Sequence, residues 1–95
     1  MSGFSASVER QNGSTTVFLH GELDMATVPQ LERALDGVEG AVVFDCAELS
    51  FVDSSGLAVF SRVARNGGIT LRNPRSNVRR VLEAVALEHM VESTT

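Results

Sequence analysis

Hydrophobic and polar residues alternate at the start of the chain, then give way to helical spacing, and the change repeats along its length. Residues 4–11 alternate weakly and predict an edge strand, turned at Asn12-Gly13, a pair suited to a tight hairpin. Residues 16–23 set Val17, Leu19, Gly21 and Leu23 against Thr16, Phe18, His20 and Glu22, which predicts a strand with one buried face ending at Asp24. A helix is expected from about Thr27, with Pro29 in its first turn and Gln30 at capping-box spacing. Val28, Leu31, Leu35 and Val38 form its apolar stripe, and Gly37 and Gly40 close it. Residues 41–44, AVVF, are a short continuous apolar run, as expected of a strand covered on both faces, with Asp45 just beyond.

The stretch LSFVDSSGLAVFSRV, residues 49–63, is the one the rest is arranged around. Leu49, Phe51 and Val52 suit an extended segment pressed on a core, and Asp53-Ser54-Ser55-Gly56 then supplies residue types that favour helix starts. Leu57, Phe60 and Ala64, with Val59 and Val63 beside them, mark one face of a second helix, with Ser54 or Ser55 as the expected N-cap. Asn66-Gly67-Gly68 ends it. Ile69 and Leu71 alternate with Thr70 and Arg72 in a further strand, broken by Asn73-Pro74. Ser76 is the expected cap of a third helix that turns Val78, Val81, Leu82 and Val85 inward and Arg79, Arg80 and Glu83 outward. Residues 87–91 are expected to add a last short strand, and residues 92–95 to fray.

This order of elements predicts an α/β fold in one domain over residues 1–95. The sheet is mixed, with parallel core strands and an N-terminal hairpin edge, and right-handed crossovers pack the helices on it. Ser54 then lies at the carboxyl side of a strand, where open α/β sheets carry their sites. Asp24, which follows the second strand, falls near the same turn.

Composition narrows the setting. No run approaches the roughly 20 apolar residues of a membrane span. The opening MSGFSASVER lacks the basic and apolar regions of an export signal, so a cytoplasmic protein without membrane association is expected. A lone cysteine, Cys46, cannot form an internal disulfide and reads as a small core residue; with no cluster of ligand spacing, neither a metal site nor a cofactor is expected. The net charge of -4 conceals an asymmetry: nine acidic residues against two arginines up to Asp53 give -7, and six arginines against three glutamates from Ser54 onward give +3. An acidic chain without tyrosine, tryptophan or a recognised binding motif is not expected to bind nucleic acid, so the arginines read as a solvated or protein-binding face.

The chemistry centres on a serine hydroxyl at the positive end of a helix dipole, where an added phosphate would gain about 0.3–1 kcal/mol. Asp, Ser and Gly at a helix start are also ordinary capping chemistry, and the tetrapeptide alone leaves both readings open. Three ordered blocks extend the match: Gly21-Glu22-Leu23-Asp24, then Phe51-Val52-Asp53-Ser54-Ser55-Gly56-Leu57, then Asn73-Pro74 followed by Val78-Arg79-Arg80-Val81-Leu82. On these blocks the chain resembles the STAS domain, and within it the anti-sigma factor antagonists, small bacterial proteins whose phosphorylatable serine follows an aspartate in a D-S-S-G or D-S-T-G turn. The resemblance covers nearly the whole chain.

What the resemblance implies is a switch in partner binding by a protein that is a substrate and not an enzyme. The unmodified form binds an anti-sigma factor that is also a serine kinase, and so frees a sigma factor. Phosphorylation of Ser54 by that kinase breaks the complex, and a PP2C-type phosphatase restores it. Asp24, Asp53, Ser54, Ser55 and Gly56 are the implied partner-binding set, on a monomer or weak homodimer. Three features depart from the family pattern: the second helix is about one turn short, Ala58 stands where a second glycine is common, and the helix that usually follows the last strand is not reached. Among the alternatives, a serine hydrolase fits poorly, because Val52-Asp53-Ser54-Ser55-Gly56 is not G-x-S-x-G and no motif assigns His20 or His89 a base role. A phosphorylation-independent STAS scaffold or regulatory subunit of a stress-signalling or transport complex would bind its partner whatever the state of Ser54. A STAS domain that binds a small ligand or nucleotide would respond to that ligand.

Overall fold

A computed structural model describes residues 3–92. Strand β1 (Ser5–Gln11) and strand β2 (Ser14–Leu23) form an antiparallel hairpin. Asn12 and Gly13 both adopt positive φ, 51° and 82°, as a tight two-residue turn between right-twisted strands requires. Helix α1 (Val28–Ala34), strand β3 (Val42–Val52), helix α2 (Ser54–Asn66), strand β4 (Ile69–Arg72) and helix α3 (Ser76–Ala84) follow. The sheet order is β1-β2-β3-β4, with β2, β3 and β4 parallel. Each crossover steps to the next strand in the same direction, so right-handed connections set the three helices on one face. The inward side chains Val17, Leu19 and Leu23 of β2, Phe44 and Leu49 of β3, and Leu71 of β4 accordingly share one core with Leu31, Phe60, Val78 and Leu82 of the helices. At its centre the rings of Phe44 and Phe60 lie 5.2 Å apart, tilted by 44°.

Strand β3 departs most from the expected pattern. Residues 42–44 of the expected run and residues 49–52 belong to one continuous strand of 11 residues, and Asp45 lies inside it. Its inward residues are Val42, Phe44 and Cys46, then Leu49, then Val52, so the period of two slips twice. The pairing explains the slips: Phe18 faces Asp45 but His20 faces Glu48, and Gly21 faces Leu49 but Glu22 faces Phe51. Each step carries one extra residue on β3, a bulge. Polar side chains hold both bulges, since the Asp45 carboxylate accepts from the Ala47 amide at 3.0 Å and the Ser50 hydroxyl donates to the Gly21 carbonyl at 3.1 Å. Nor is the strand covered on both faces, because the outward positions of the sheet, among them Phe18 and Phe51, lie open.

The helix starts also differ from expectation. Thr27 is the N-cap residue of α1 but makes no side-chain cap; its hydroxyl donates to the Glu22 carbonyl at 2.8 Å and accepts from the Asp24 amide at 2.9 Å, which ties the loop to the end of β2. The helix ends at Ala34, so Val38 joins the core from beyond it. Asp53, and neither serine, caps α2. Arg75 holds the cap position of α3, which makes Ser76 the first helical residue. Strand β4 pairs only with residues 42–45, leaving later carbonyls of β3 open on that side. Arg75 Nε donates to the Ala47 carbonyl at 2.9 Å and Asn77 Nδ2 to the Ser50 carbonyl at 2.7 Å, so contacts to the sheet fix this start.

The expected last strand shrinks to one bridge between Val91 and Leu71, preceded by a 3₁₀ turn at Glu88–Met90. Helix α3 closes with the Leu87 amide on the Leu82 carbonyl and the Ala86 amide on the Glu83 carbonyl, with Ala86 at φ 61°. That is a Schellman closure with alanine where glycine is usual, and it turns the chain too sharply for an extended segment. Glu92 donates its amide to the Leu71 carbonyl at 2.8 Å and does not fray; the expectation for residues 93–95 lies outside the described residues.

Two close approaches set the upper end of the sheet. A Cβ on Gly21, at φ 97°, would stand 2.5 Å from the Gly3 carbonyl oxygen, so only glycine lets the segment before β1 cross here. A Cβ on Gly56 would stand 2.7 Å from Val52 Cγ2 and 2.8 Å from Leu23 Cγ. The first turn of α2 therefore rests directly on the ends of β2 and β3.

Three stability changes are expected. Gly56→Ala gains about 1 kcal/mol of helix propensity but forces a packed contact apart at a cost of about 1–3 kcal/mol, so the melting temperature falls by several degrees. Ala86→Gly relieves the left-handed alanine and raises stability by about 0.5 kcal/mol, seen in the same thermal melts. The third concerns Asp53. The Ser55 hydroxyl does most to hold its carboxyl below the usual aspartate range; burial opposes this, and the Gly56, Ser55 and Met25 amides add to the lowering. A depressed folded-state value contributes stability that is present above the ordinary aspartate range and lost as pH falls through the folded-state value. Asp53→Ala is thus about 0.5–2 kcal/mol less stable near neutral pH, and urea titrations at descending pH show the gap closing below the ordinary aspartate range.

Candidate functional site

Asp24 and Asp53 leave the carboxyl ends of neighbouring parallel strands. Leu23 pairs with Val52, and the Asp53 amide donates to the Leu23 carbonyl at 3.1 Å, so the two loops run side by side. Each aspartate then organises its own turn. Asp24 Oδ1 accepts from the Ala26 amide at 3.0 Å and the Thr27 amide at 3.1 Å, which folds the carboxylate back on its loop. Asp53 Oδ1 accepts from the Ser55 amide at 2.9 Å, the Gly56 amide at 3.1 Å and the Ser55 hydroxyl. Because these donors favour the ionised form, a carboxylate charge is held at the mouth of α2.

The two serines have different surroundings. Successive helical residues turn by about 100°, so Ser54 lies about 200° from Gly56, which faces the strand ends. Ser54 is accordingly exposed, whereas Ser55 is half-buried with its hydroxyl given to Asp53. Gly56 is buried, and its lack of a side chain sets how near the helix comes to the sheet. The five residues expected to form the site, Asp24, Asp53, Ser54, Ser55 and Gly56, are thus brought to one end of the sheet. The Ser55 and Gly56 amides are already engaged by Asp53, and the Leu57 amide by the Asp53 carbonyl at 3.0 Å. A group attached to Ser54 would meet the helix dipole but few unpartnered donors.

Met25, which no motif marked, stands in the same loop pair, 77% exposed as a residue, and its amide helps to lower the Asp53 carboxyl. Its signal in the sequence was a large apolar residue in an otherwise polar turn. Other reactive groups lie elsewhere. Burial pushes the Cys46 thiol up to about 12, with Asp45 adding to the effect, which leaves a protonated thiol packed in the core. His20 is exposed on β2 with Nδ1 3.2 Å from the Gly3 carbonyl oxygen, and His89 sits in the 3₁₀ turn. A groove of about 540 Å³ between α1 and α2, lined by Leu35, Val38, Val42 and Val63, lies at the other end of the parallel strands. Among the described residues no group of three His, Cys, Asp or Glu side chains could hold a metal ion, and no helix is long and apolar enough to cross a membrane.

Comparison with known proteins agrees with this architecture. A family model described as Mlab, STAS domain, matches residues 6–92. The anti-sigma-B factor antagonist of Listeria monocytogenes is 31% identical over 93 residues, a match spanning 88% of this chain and 82% of that protein. Among solved structures, the anti-sigma factor antagonist SpoIIAA in its unphosphorylated form superposes with a TM-score of 0.80 at 25% identity, over 96% of this chain and 89% of that one. An anti-sigma factor antagonist from Mycobacterium paratuberculosis superposes with a TM-score of 0.83 at 26% identity, over 97% of this chain and 87% of that one. The mixed sheet with its hairpin edge, the helices on one face and these matches along almost the full length lead to one assignment: the chain belongs to the STAS domain family, among the anti-sigma factor antagonists.

Proposed function

We propose that the chain switches partners through Ser54: unmodified, it binds an anti-sigma factor that is also a serine kinase and so releases a sigma factor; phosphorylated on Ser54, it lets that partner go. The observation that carries this reading is the exposed Ser54 hydroxyl on the first residue of α2, beside the ionised carboxylate of Asp53. Ser55 is the weaker acceptor, because its hydroxyl is half-buried and already bound to Asp53. SpoIIAA supports the reading as an anti-sigma factor antagonist whose described form is the unphosphorylated one.

The magnitudes suffice for a switch. A phosphate adds about -1.5 to -2 charge. One unit-charge repulsion at about 7 Å and an effective dielectric near 20 is about 2 kcal/mol before salt screening. In the free protein the charge faces water and the helix dipole offsets part of the repulsion, so the fold survives. At a closed interface the phosphate must also lose its hydration, and a net loss of 3 kcal/mol weakens a complex more than a hundredfold. Asp53, Ser55 and Gly56 act by holding the turn in shape, and Asp24 by forming the neighbouring loop. A PP2C-type phosphatase would reset the cycle, and the chain acts throughout as a substrate in the cytoplasm.

Incubation with the anti-sigma kinase of the same genome and ATP is expected to place phosphate on Ser54, read by peptide mass spectrometry, and Ser54→Ala to abolish it. Ser54→Asp is expected to weaken the complex at least tenfold in calorimetry while circular dichroism stays native. Phosphate on Ser55 alone would move the site, and full-strength binding by the phosphorylated protein would point to a scaffold whose contacts ignore Ser54.

A further inference from the structure

The described residues leave four large apolar side chains on the surface: Phe18 at 39% exposure, Phe51 at 45%, Val85 at 48% and Met25 at 77%. Met25 is the most open of them and stands two residues after Leu23, whose carbonyl accepts from the Asp53 amide at 3.1 Å, one residue before Ser54. We infer that Met25 is the docking anchor of the site, inserted into an apolar pocket of the kinase that modifies Ser54; this rests on the reading of Ser54 given above. A kinase must bring the γ-phosphate of ATP to about 3–3.5 Å from the Ser54 hydroxyl. A typical interface covers about 800 Å² on each partner, roughly a disc of 16 Å radius, and a loop in contact with Asp53 falls well inside it. The kinase therefore covers Met25 whenever it reaches Ser54.

The loop suits the part. Asp24 Oδ1 binds the amides of Ala26 and Thr27, and the Thr27 hydroxyl binds the Glu22 carbonyl and the Asp24 amide, so the backbone around Met25 is held before any partner arrives. Little backbone order is then lost on binding. The side chain is unbranched and polarisable, able to fill a pocket of irregular shape. Phe51 adds a second apolar group at this end of the sheet, pairing with Glu22 one step before Leu23 and Val52. Phe18 pairs with Asp45, farther down the sheet, and provides the control.

The test uses the purified kinase shown to phosphorylate Ser54. Met25→Ala is expected to weaken its complex with the unmodified protein about tenfold, and Met25→Glu about a hundredfold. Both raise the KM for Ser54 phosphorylation while kcat stays near the parent value, and Phe18→Ala stays within twofold on every measure. Thermal melts check that the variants fold, as expected for so exposed a side chain. If both Met25 variants bind and are phosphorylated like the parent while Ser54→Ala blocks the modification, the anchor is overturned and the Ser54 switch stands. If Phe18→Ala weakens the complex as much as Met25→Ala, the anchor is likewise overturned. If the parent protein takes no phosphate on Ser54, the switch and the anchor fall together.

Discussion

The first turn of α2 can rest on the ends of β2 and β3 because Gly56 has no side chain. Val52 and Leu23 occupy the space a Cβ would need. This contact fixes the height and rotation of the helix start, and with them the outward direction of Ser54. The Asp53 carboxylate works within the same few residues, tying the Ser55 and Gly56 amides and the Ser55 hydroxyl to the end of β3. Of two adjacent serines, one is thereby engaged inside the turn and the other left free at the surface. The selection follows from helical geometry and one missing methyl group.

The carboxylates at this end of the molecule serve the fold itself. Two aspartates follow neighbouring strands, and both use their carboxylates to build turns. Their structural work is independent of any partner, which is why the site can be rigid in the free protein. An extra anion on Ser54 would find the nearest helix amides already taken, so its charge would be directed outward, toward whatever lies against that face. Rigidity also makes an exposed Met25 informative, since the loop beneath it is held by Thr27 and Asp24.

Much of the fold was readable before any coordinates. The hairpin at Asn12-Gly13, the helix stripes of Leu57, Phe60 and Val78, Leu82, and the break at Asn73-Pro74 all rest on local periodicity or on residues with narrow backbone preferences. Strand β3 was not readable in the same way. Its buried residues step from Cys46 to Leu49 to Val52, a spacing of three that mimics a helix or a break, because bulges held by Asp45 and Ser50 interrupt the alternation. Pairing with β2 across a long sequence separation makes that segment one strand. The expected strand at residues 87–91 failed for a related reason, since Ala86 takes up a turn that composition assigns to glycine.

At the site, sequence alone determined which residues gather: aspartates after two parallel strands and a serine pair opening a helix converge because the order of strands and helices leaves no other place for them. It also carried the family resemblance that the comparisons support. Only the tertiary structure decided how the work is divided. Cap competition among Asp53, Ser54 and Ser55 depends on side-chain geometry within one turn, and all three are good caps in isolation. The carboxylate reaches two amides at once from an extended backbone, whereas Ser54, already helical, cannot. The degree to which Met25 is exposed was likewise decided by the fold, because burial of one side chain is set by what packs against it and not by its own chemistry.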